Sequence, residues 1–520
     1  MTDDESVHLR VRAQTSQQLP NRALPPTYRL WLPLIPILLA ALLLRGFSFF
    51  ERVYPTGADY GHHLLYAELF LTQGRLPTAV PFFQLGTTEW SVLPGGSLSY
   101  ALGELFSGTP VFELAATTLI YSLIETTGVY LLAWRLFRRL DAALTAALLI
   151  VLFPAGVDIV AWSGYPNLIA LAFIPFALIA WLDYWHAPSW RSLLLTIVIV
   201  VGMMSVHHLS TLWMGLTFAL FAALHLILRP YSSLRKLIPL GVVGVIAGLP
   251  VVLQILDLTA ITQAAGVLLS ADRFDDSRVT WSIWTQTASA VSLVFISGGV
   301  IALLRHRVIP LSDRLMILCY LVVCGLFAFG WIVGLRFYYL RALFFFPLIF
   351  ALGAAALFWL WRPLWLRSLV VVLVITNIGF GSLLRTEEVN TYYTTLTPRV
   401  LEGVEWLRQY SEPGDVVVVG TFLGFQMSRL LNRPTLVALT PELVGNPQEL
   451  ETAADAVAIL MGLENMDAII NERDVRYIIV KANAPDIPDA ARAQLVMDAN
   501  PRIRLLYRNR DLLIYEVLSS

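Results

Sequence analysis

Between Leu32 and Leu384 apolar runs recur, each close to the roughly 20 residues a helix needs to cross a bilayer core. Only structures that satisfy their own backbone hydrogen bonds survive in lipid, and runs of this length and uniformity predict helices rather than barrel strands. The runs fall near 31–50, 111–133, 142–160, 167–184, 191–207, 211–228, 237–256, 286–304, 315–333, 342–361 and 367–384, about eleven spans. Composition agrees. Of 520 residues, 57% are hydrophobic and 14% charged, where a soluble domain carries about 25% charge.

The charge is unevenly placed. The segment after Arg385 carries roughly seven excess negative charges, leaving about six excess positive charges on the rest, so the formal net of -1 hides an asymmetry. Arg135, Arg138 and Arg139 follow the second run, and Arg191 the fourth. Arg229, Arg235 and Lys236 follow the sixth, Arg305, Arg307 and Arg314 the eighth, and Arg362 and Arg367 the tenth. Arg10, Arg12, Arg22 and Arg29 precede the first. Each cluster lies an even number of runs from the N-terminus, which predicts a cytoplasmic N-terminus and an extracytoplasmic C-terminal segment. The parity requires 191–207 and 211–228 to be two spans, although only His207, His208, Leu209 and Ser210 separate them. The cell membrane is the expected location.

The expected organisation has three parts: a disordered cytoplasmic tail over 1–28, a transmembrane domain over 29–385, and an extracytoplasmic α/β domain over 386–520. In the last, Thr397 to Tyr410 has an amphipathic helical stripe of Val400, Val404 and Leu407. VVVVG, TLVAL, YIIVK, RLLYR and LLIYEV read as strands, and a second helix is expected around 449–463. VVVVGTFLGF lacks the G-x-G-x-x-G spacing of a dinucleotide site. The two cysteines, Cys319 and Cys324, share one apolar run, so no disulfide framework is expected.

The first outer loop, 51–110, carries the unusual chemistry: ERVYPTGADYGHHLLYAELFLTQGRLP. Pro55 and Gly57 mark a turn, and 60–73 reads as a short helix along the membrane surface. Asp59, His62, His63 and Tyr66 follow i, i+3, i+4, i+7 spacing and share one face. Asp59 can be the helix N-cap or a catalytic carboxylate, and the histidines either interface decoration or ligands. Arg45 and, in GLRFYYLRAL, Arg336 and Arg341 stand near the outer ends of spans, where an arginine either snorkels to headgroups or binds an anion. In VDIVAWSGYPNLIAL, Asp158 is a second outer carboxylate, and Trp162 and Tyr165 are interfacial aromatic rings. His207 and His208 close an inter-span turn. SADRFDDSR, within 257–285, reads as a solvated loop over this face.

Asp59, Tyr66, Ala67, Gly74 and Pro77, following a first span that ends in LLLRGF, resemble the start of the GT-C glycosyltransferases. These polytopic enzymes use polyprenyl-phosphate-linked sugars and include protein O-mannosyltransferases, the lipid A aminoarabinose transferase and the oligosaccharyltransferase catalytic subunit. The layout is similar over the whole chain, the motif over about 51–77. The family's acidic motif is usually a carboxylate pair, and here Asp59 is followed by Tyr60. The resemblance implies sugar transfer from a polyprenyl-phosphate donor to a hydroxyl on a lipid, glycan or protein, by inverting displacement. Asp59 would be the base. Arg336, Arg341 and Arg45 would hold the donor phosphate. His62, His63, Tyr66, Trp162, Tyr165, His207 and His208 would contact substrate, and Asp59 with Asp158 would hold a divalent cation, Mg or Mn. Asp158, then Glu89, are the reserve candidates for the base. Nucleic acid is not an expected partner. Two other readings stay open: a non-catalytic assembly protein with a degraded GT-C site, and a lipid or glycan transporter.

Overall fold

The structure is a computed structural model. It describes residues 30–49, 54–57, 59–75, 84–86, 94–107, 110–264, 278–288, 290–305, 309–335, 339–360, 365, 367–368, 371–372, 375–438, 447–482 and 490–518. The tail 1–28, Pro77, Glu89, Arg336 and most of SADRFDDSR lie outside the described residues.

The chain begins with helix α1 (Ile35–Gly46), then α2 (Tyr60–Gln73) and α3 (Pro94–Ser107) in the 51–110 loop. Next come α4 (Pro110–Phe137), α5 (Leu140–Leu152), α6 (Pro154–Ala161), α7 (Tyr165–His186), α8 (Trp190–Met204) and α9 (His208–Leu228). They are followed by α10 (Pro230–Ala264), α11 (Trp281–Ala288), α12 (Ala290–Arg305), α13 (Leu311–Phe329) and α14 (Phe346–Leu360). Among the described residues, six helices are long and apolar enough to cross a membrane, or seven if α5 and α6, bent by 41°, count as one span. The helices within the first, fifth and eighth apolar runs are shorter, so the described residues identify fewer such spans than the eleven expected. Pro154, which cannot donate to a preceding turn, sits at the α5–α6 break. The runs 191–207 and 211–228 are two helices, because His207 leaves helical geometry at φ -149°, ψ 114° and accepts from Ser210 N–H as the cap of α9. Large apolar side chains such as Val198, Ile227, Val245 and Ile246 are exposed, as a lipid-facing surface requires.

Polar contacts gather the basic loops at one end. Arg135 spans Asp183 (2.8 Å) and buried Asp313 (2.7 Å), and His186 joins Asp313 at 2.5 Å. Arg139 and Arg367 share Asp141. Lys236 Nζ donates to Trp185 O at 2.5 Å. Arg135, Arg139, Lys236 and Arg367, from separate clusters, therefore stand together at the end of the bundle away from α2.

The C-terminal segment opens with α15 (Phe380–Tyr392), which continues past the expected boundary at Arg385. Then follow α16 (Pro398–Tyr410), β1 (Val416–Gly420), α17 (Thr421–Leu431), β2 (Thr435–Ala438), α18 (Pro447–Met461) and α19 (Met466–Glu472). The chain ends with β3 (Val475–Lys481), α20 (Ala490–Ala499), β4 (Ile503–Arg508) and β5 (Leu512–Val517). The five strands form one sheet, β2-β1-β3-β5-β4. β1 runs parallel to β2 and β3, and β5 antiparallel to β3 and β4. Strand alternation sorts the side chains into two cores. Val417, Val419, Ile479 and Ile514 join the core continuous with the membrane helices. Val416, Val418, Ile478 and Val480 pack in a second core with α18, α19 and α20. Burial on both faces explains the unbroken VVVV run.

Helices α12 and α14 meet backbone to backbone. A Cβ added at Gly299 would lie 2.2 Å from Gly353 Cα, and one at Gly353 2.6 Å from Phe295 O. Small residues at such crossings let membrane helices gain packing that lipid cannot supply. Gly299→Val should therefore destabilise the protein by about 1–3 kcal/mol through overpacking. Gly325→Ala, whose added carbon meets nothing within 4 Å, should be near neutral. Thermal unfolding in detergent checks the pair; equal midpoints would dissolve the close-contact interpretation.

Candidate active site

The site begins with a two-residue knot. Gly57 has φ +106°, a region that costs glycine little and other residues much. Its N–H donates to Tyr393 O (2.8 Å), and its carbonyl accepts from Thr395 Oγ1 and Gln426 Nε2 (both 3.1 Å). Ser163 Oγ donates to Thr56 O at 2.7 Å. A Cβ at Gly57 would meet Ser163 Oγ at 1.8 Å. The 51–110 loop is thereby fixed between the 162–164 turn and the C-terminal segment, two residues before Asp59.

Asp59 occupies the N-cap position of α2 but makes no side-chain cap hydrogen bond. The capping alternative thus loses its defining contact. The half-buried carboxylate instead lines a cavity of about 300 Å³. This is at the small end of ligand-site volumes. His62, His63 and Tyr66 from the same face of α2 line it too, as do Gly96, Ser97 and Tyr100 of α3. Trp162, Ser163, Gly164, Pro166 and Asn167 line it as well, with Val206, His207, His208 and Arg341. Arg341 stacks over Trp162, its guanidinium 5.5 Å from the ring centroid.

Burial pushes the Asp59 carboxyl up to about 6, and the nearby Arg341 charge limits that rise. Burial pushes the His63 imidazole down to about 4, against the opposing effect of the Ser163 carbonyl, which lies 3.2 Å from Nε2. His62 is also lowered by burial, and further by His63. Near neutral pH the cavity therefore holds an ionised carboxylate and uncharged imidazoles on α2. At its far side, Ser210 N–H donates to His207 Nδ1 at 3.3 Å, which leaves the ring proton on Nε2.

Other site candidates stand elsewhere. Tyr165 is buried behind the cavity wall, its ring 5.8 Å from that of His63. Arg45 does not line the cavity. It is buried among helices, where its Nη2 donates to Ile150 O (3.4 Å) and its head lies against Gly156, within electrostatic reach of Glu125 and Asp158. Asp158 is paired with Arg385 at 3.0 Å and also does not line the cavity. Asp59 and Asp158 therefore do not form one ligand set, because a stronger local partner holds the second carboxylate. Among the described residues no three His, Cys, Asp or Glu side chains come together as a metal-binding group. The described residues around Asp59 do not gather a ligand set for the expected divalent cation.

Ser97, Tyr100 and Asn167 were not singled out by sequence. α3 begins at PGGS after a stretch without clear periodicity, and Asn167 lies within an apolar run. An Asn inside the apolar run after WSGYP was the available signal.

No known family profile matches the sequence, and no curated protein does. Solved structures do. The Archaeoglobus fulgidus oligosaccharyltransferase in its apo form superposes with a TM-score of 0.62 at 13% identity, over 88% of this chain and 70% of that one. The same organism's AglB, in complex with an inhibitory peptide and a dolichol-phosphate, gives 0.56 at 13% identity over the same shares. ArnT from Cupriavidus metallidurans bound to undecaprenyl phosphate gives 0.60 at 12% identity, over 94% of this chain and 98% of that one. At such identity the likeness concerns the fold. This multi-pass membrane protein has the fold of the GT-C glycosyltransferases, shared with ArnT and the archaeal oligosaccharyltransferase.

Proposed function

We propose that the protein transfers a sugar from a polyprenyl-phosphate donor to an acceptor hydroxyl on the extracytoplasmic side of the cell membrane. One observation carries this reading: Asp59, uncapped, and Arg341 line the same cavity, in a fold shared with proteins solved with polyprenyl phosphates. In the reaction the acceptor oxygen attacks the anomeric carbon while the bond from that carbon to the phosphate oxygen breaks. Asp59 takes the hydroxyl proton. The leaving phosphate carries away the electron pair, and Arg341 meets its growing charge. The stack on Trp162 orients the guanidinium for that role. Configuration inverts because attack is opposite the leaving group.

The base must be ionised, so transfer should fall about tenfold per pH unit below about 6. Stability has the opposite dependence. A carboxyl raised by folding favours the folded state while protonated, and that contribution is lost as pH rises through about 6. Asp59→Asn should therefore be as stable as wild type at pH 7, or more so. It should transfer labelled sugar from a panel of undecaprenyl-phosphate sugars to native envelope acceptors about 10²–10⁴-fold more slowly. A folded variant that transfers at the wild-type rate would remove Asp59 as the base.

Arg341→Ala should weaken binding of undecaprenyl phosphate by about 1.5–3 kcal/mol, the contribution of a charge-assisted contact. Arg367→Ala, at the opposite end of the bundle, should leave it unchanged. Calorimetry in nanodiscs measures both, and equal losses would take Arg341 out of the phosphate site.

The basic loops support the orientation. Leu495, exposed on α20, and Ser232, exposed in the first turn of α10, are suitable labelling positions because Cys319 and Cys324 are buried. An impermeant maleimide applied to intact cells or spheroplasts should reach Leu495→Cys and not Ser232→Cys. The reverse pattern would invert the topology and place the site in the cytoplasm.

A further inference from the structure

We infer that Ser97, Tyr100 and Asn167 form a subsite that reads the hydroxyl groups of an uncharged sugar. This deepens the transferase reading and rests on it. All three side chains line the cavity that holds Asp59 and Arg341, and all are at most 2% exposed. Among the described residues, Ser97 Oγ, Tyr100 OH and Asn167 Nδ2 each lack a hydrogen-bond partner. Native interiors rarely leave such groups unpaired, since each forfeits the hydrogen bond it had with water. Three around one cavity indicate a ligand that supplies the missing partners.

The chemistry of the wall specifies the ligand. The Asn167 amide is oriented from behind: Ser210 Oγ lies 3.5 Å from its Oδ1, which leaves the Nδ2 donors for the cavity. Two hydroxyls and an amide can each meet a sugar hydroxyl, and both hydroxyls can donate or accept. The wall carries no formal charge. Among the described lining residues only Asp59 and Arg341 are ionised, and the transfer reaction engages both. The neighbouring His62 and His63 are held uncharged by burial. An amino sugar or a hexuronate would leave its own charge unpaired at this wall, at a steep desolvation cost. A neutral hexose or pentose would satisfy it. Trp162 adds an aromatic face at the cavity.

The test exploits the absence of internal partners. Removing an unpaired buried hydroxyl costs the folded protein no hydrogen bond, so the double variant Ser97→Ala/Tyr100→Phe should unfold at or above the wild-type midpoint. Binding is then measured for the full-length protein in nanodiscs, with undecaprenyl phosphate alone and with undecaprenyl phosphate carrying a neutral hexose or pentose, an amino sugar or a hexuronate. Wild type should bind at least one neutral-sugar lipid more tightly than the charged-sugar lipids. The double variant should lose about tenfold or more on that neutral-sugar lipid and less than twofold on undecaprenyl phosphate. Equal changes on both lipids, no change on either, a lowered midpoint, or wild-type preference for a charged or for no sugar would each overturn the subsite. Wild type that ignores undecaprenyl phosphate altogether would instead overturn the transferase reading on which the subsite rests.

Discussion

The site depends on how the backbone at Thr56 and Gly57 is held. Four side chains or carbonyls from three distant segments converge on these two residues: Ser163 from the turn before α7, Tyr393 and Thr395 after α15, and Gln426 from α17. Only a glycine fits, both because φ is +106° and because Ser163 occupies the space a side chain would take. A loop of this length would otherwise sample many conformations, and a base has to stay within hydrogen-bond reach of one hydroxyl. The knot transfers the rigidity of the helical bundle and of the sheet to Asp59.

The same region shows how the soluble segment and the membrane helices act as one body. Gln84 turns its amide to the edge strand β2, donating to Val437 O (3.0 Å) and accepting from Val437 N–H (3.1 Å). The side chain imitates a paired strand at an edge that would otherwise present open backbone groups. Gln84 and Leu85 both have positive φ, and this bidentate contact offsets the strain. The Arg429–Glu68 ion pair, 3.1 Å long and partly exposed, adds little energy by comparison. Its use is directional, because it joins α17 to the helix that carries the histidines.

The helical runs, the strands and the face shared by Asp59, His62, His63 and Tyr66 were legible because each rests on a local period. The span lengths follow from bilayer thickness, and the VVVV run from burial on both sides of a sheet. What sequence could not supply is which polar groups find each other across long separations. Asp158 read as a partner for Asp59, yet Arg385, more than two hundred residues later, reaches it first. Arg45 read as an outer-face cation, yet its head folds into a space that only Gly156 leaves open. Ser97 and Tyr100 were hidden for the opposite reason. Their helix lies in a loop whose composition is mixed and whose amphipathic face is defined by a cavity, not by a core.

The two ends of the bundle treat polar groups in opposite ways. At the basic end Arg135, Asp183, His186 and Asp313 satisfy one another, so buried charge there is matched and ties α4, α7 and α13 together. At the Asp59 end a carboxylate forgoes the cap bond its position offers, and nearby hydroxyl and amide groups lack partners among the described residues. Satisfying them internally would have been easy for a sequence selected on stability alone, since removing an unpaired buried polar group rarely costs a protein anything. Their retention beside a knot built to hold the backbone still means that the unsatisfied valences are preorganised. The wall is rigid before a ligand arrives, and binding energy need not be spent on arranging it.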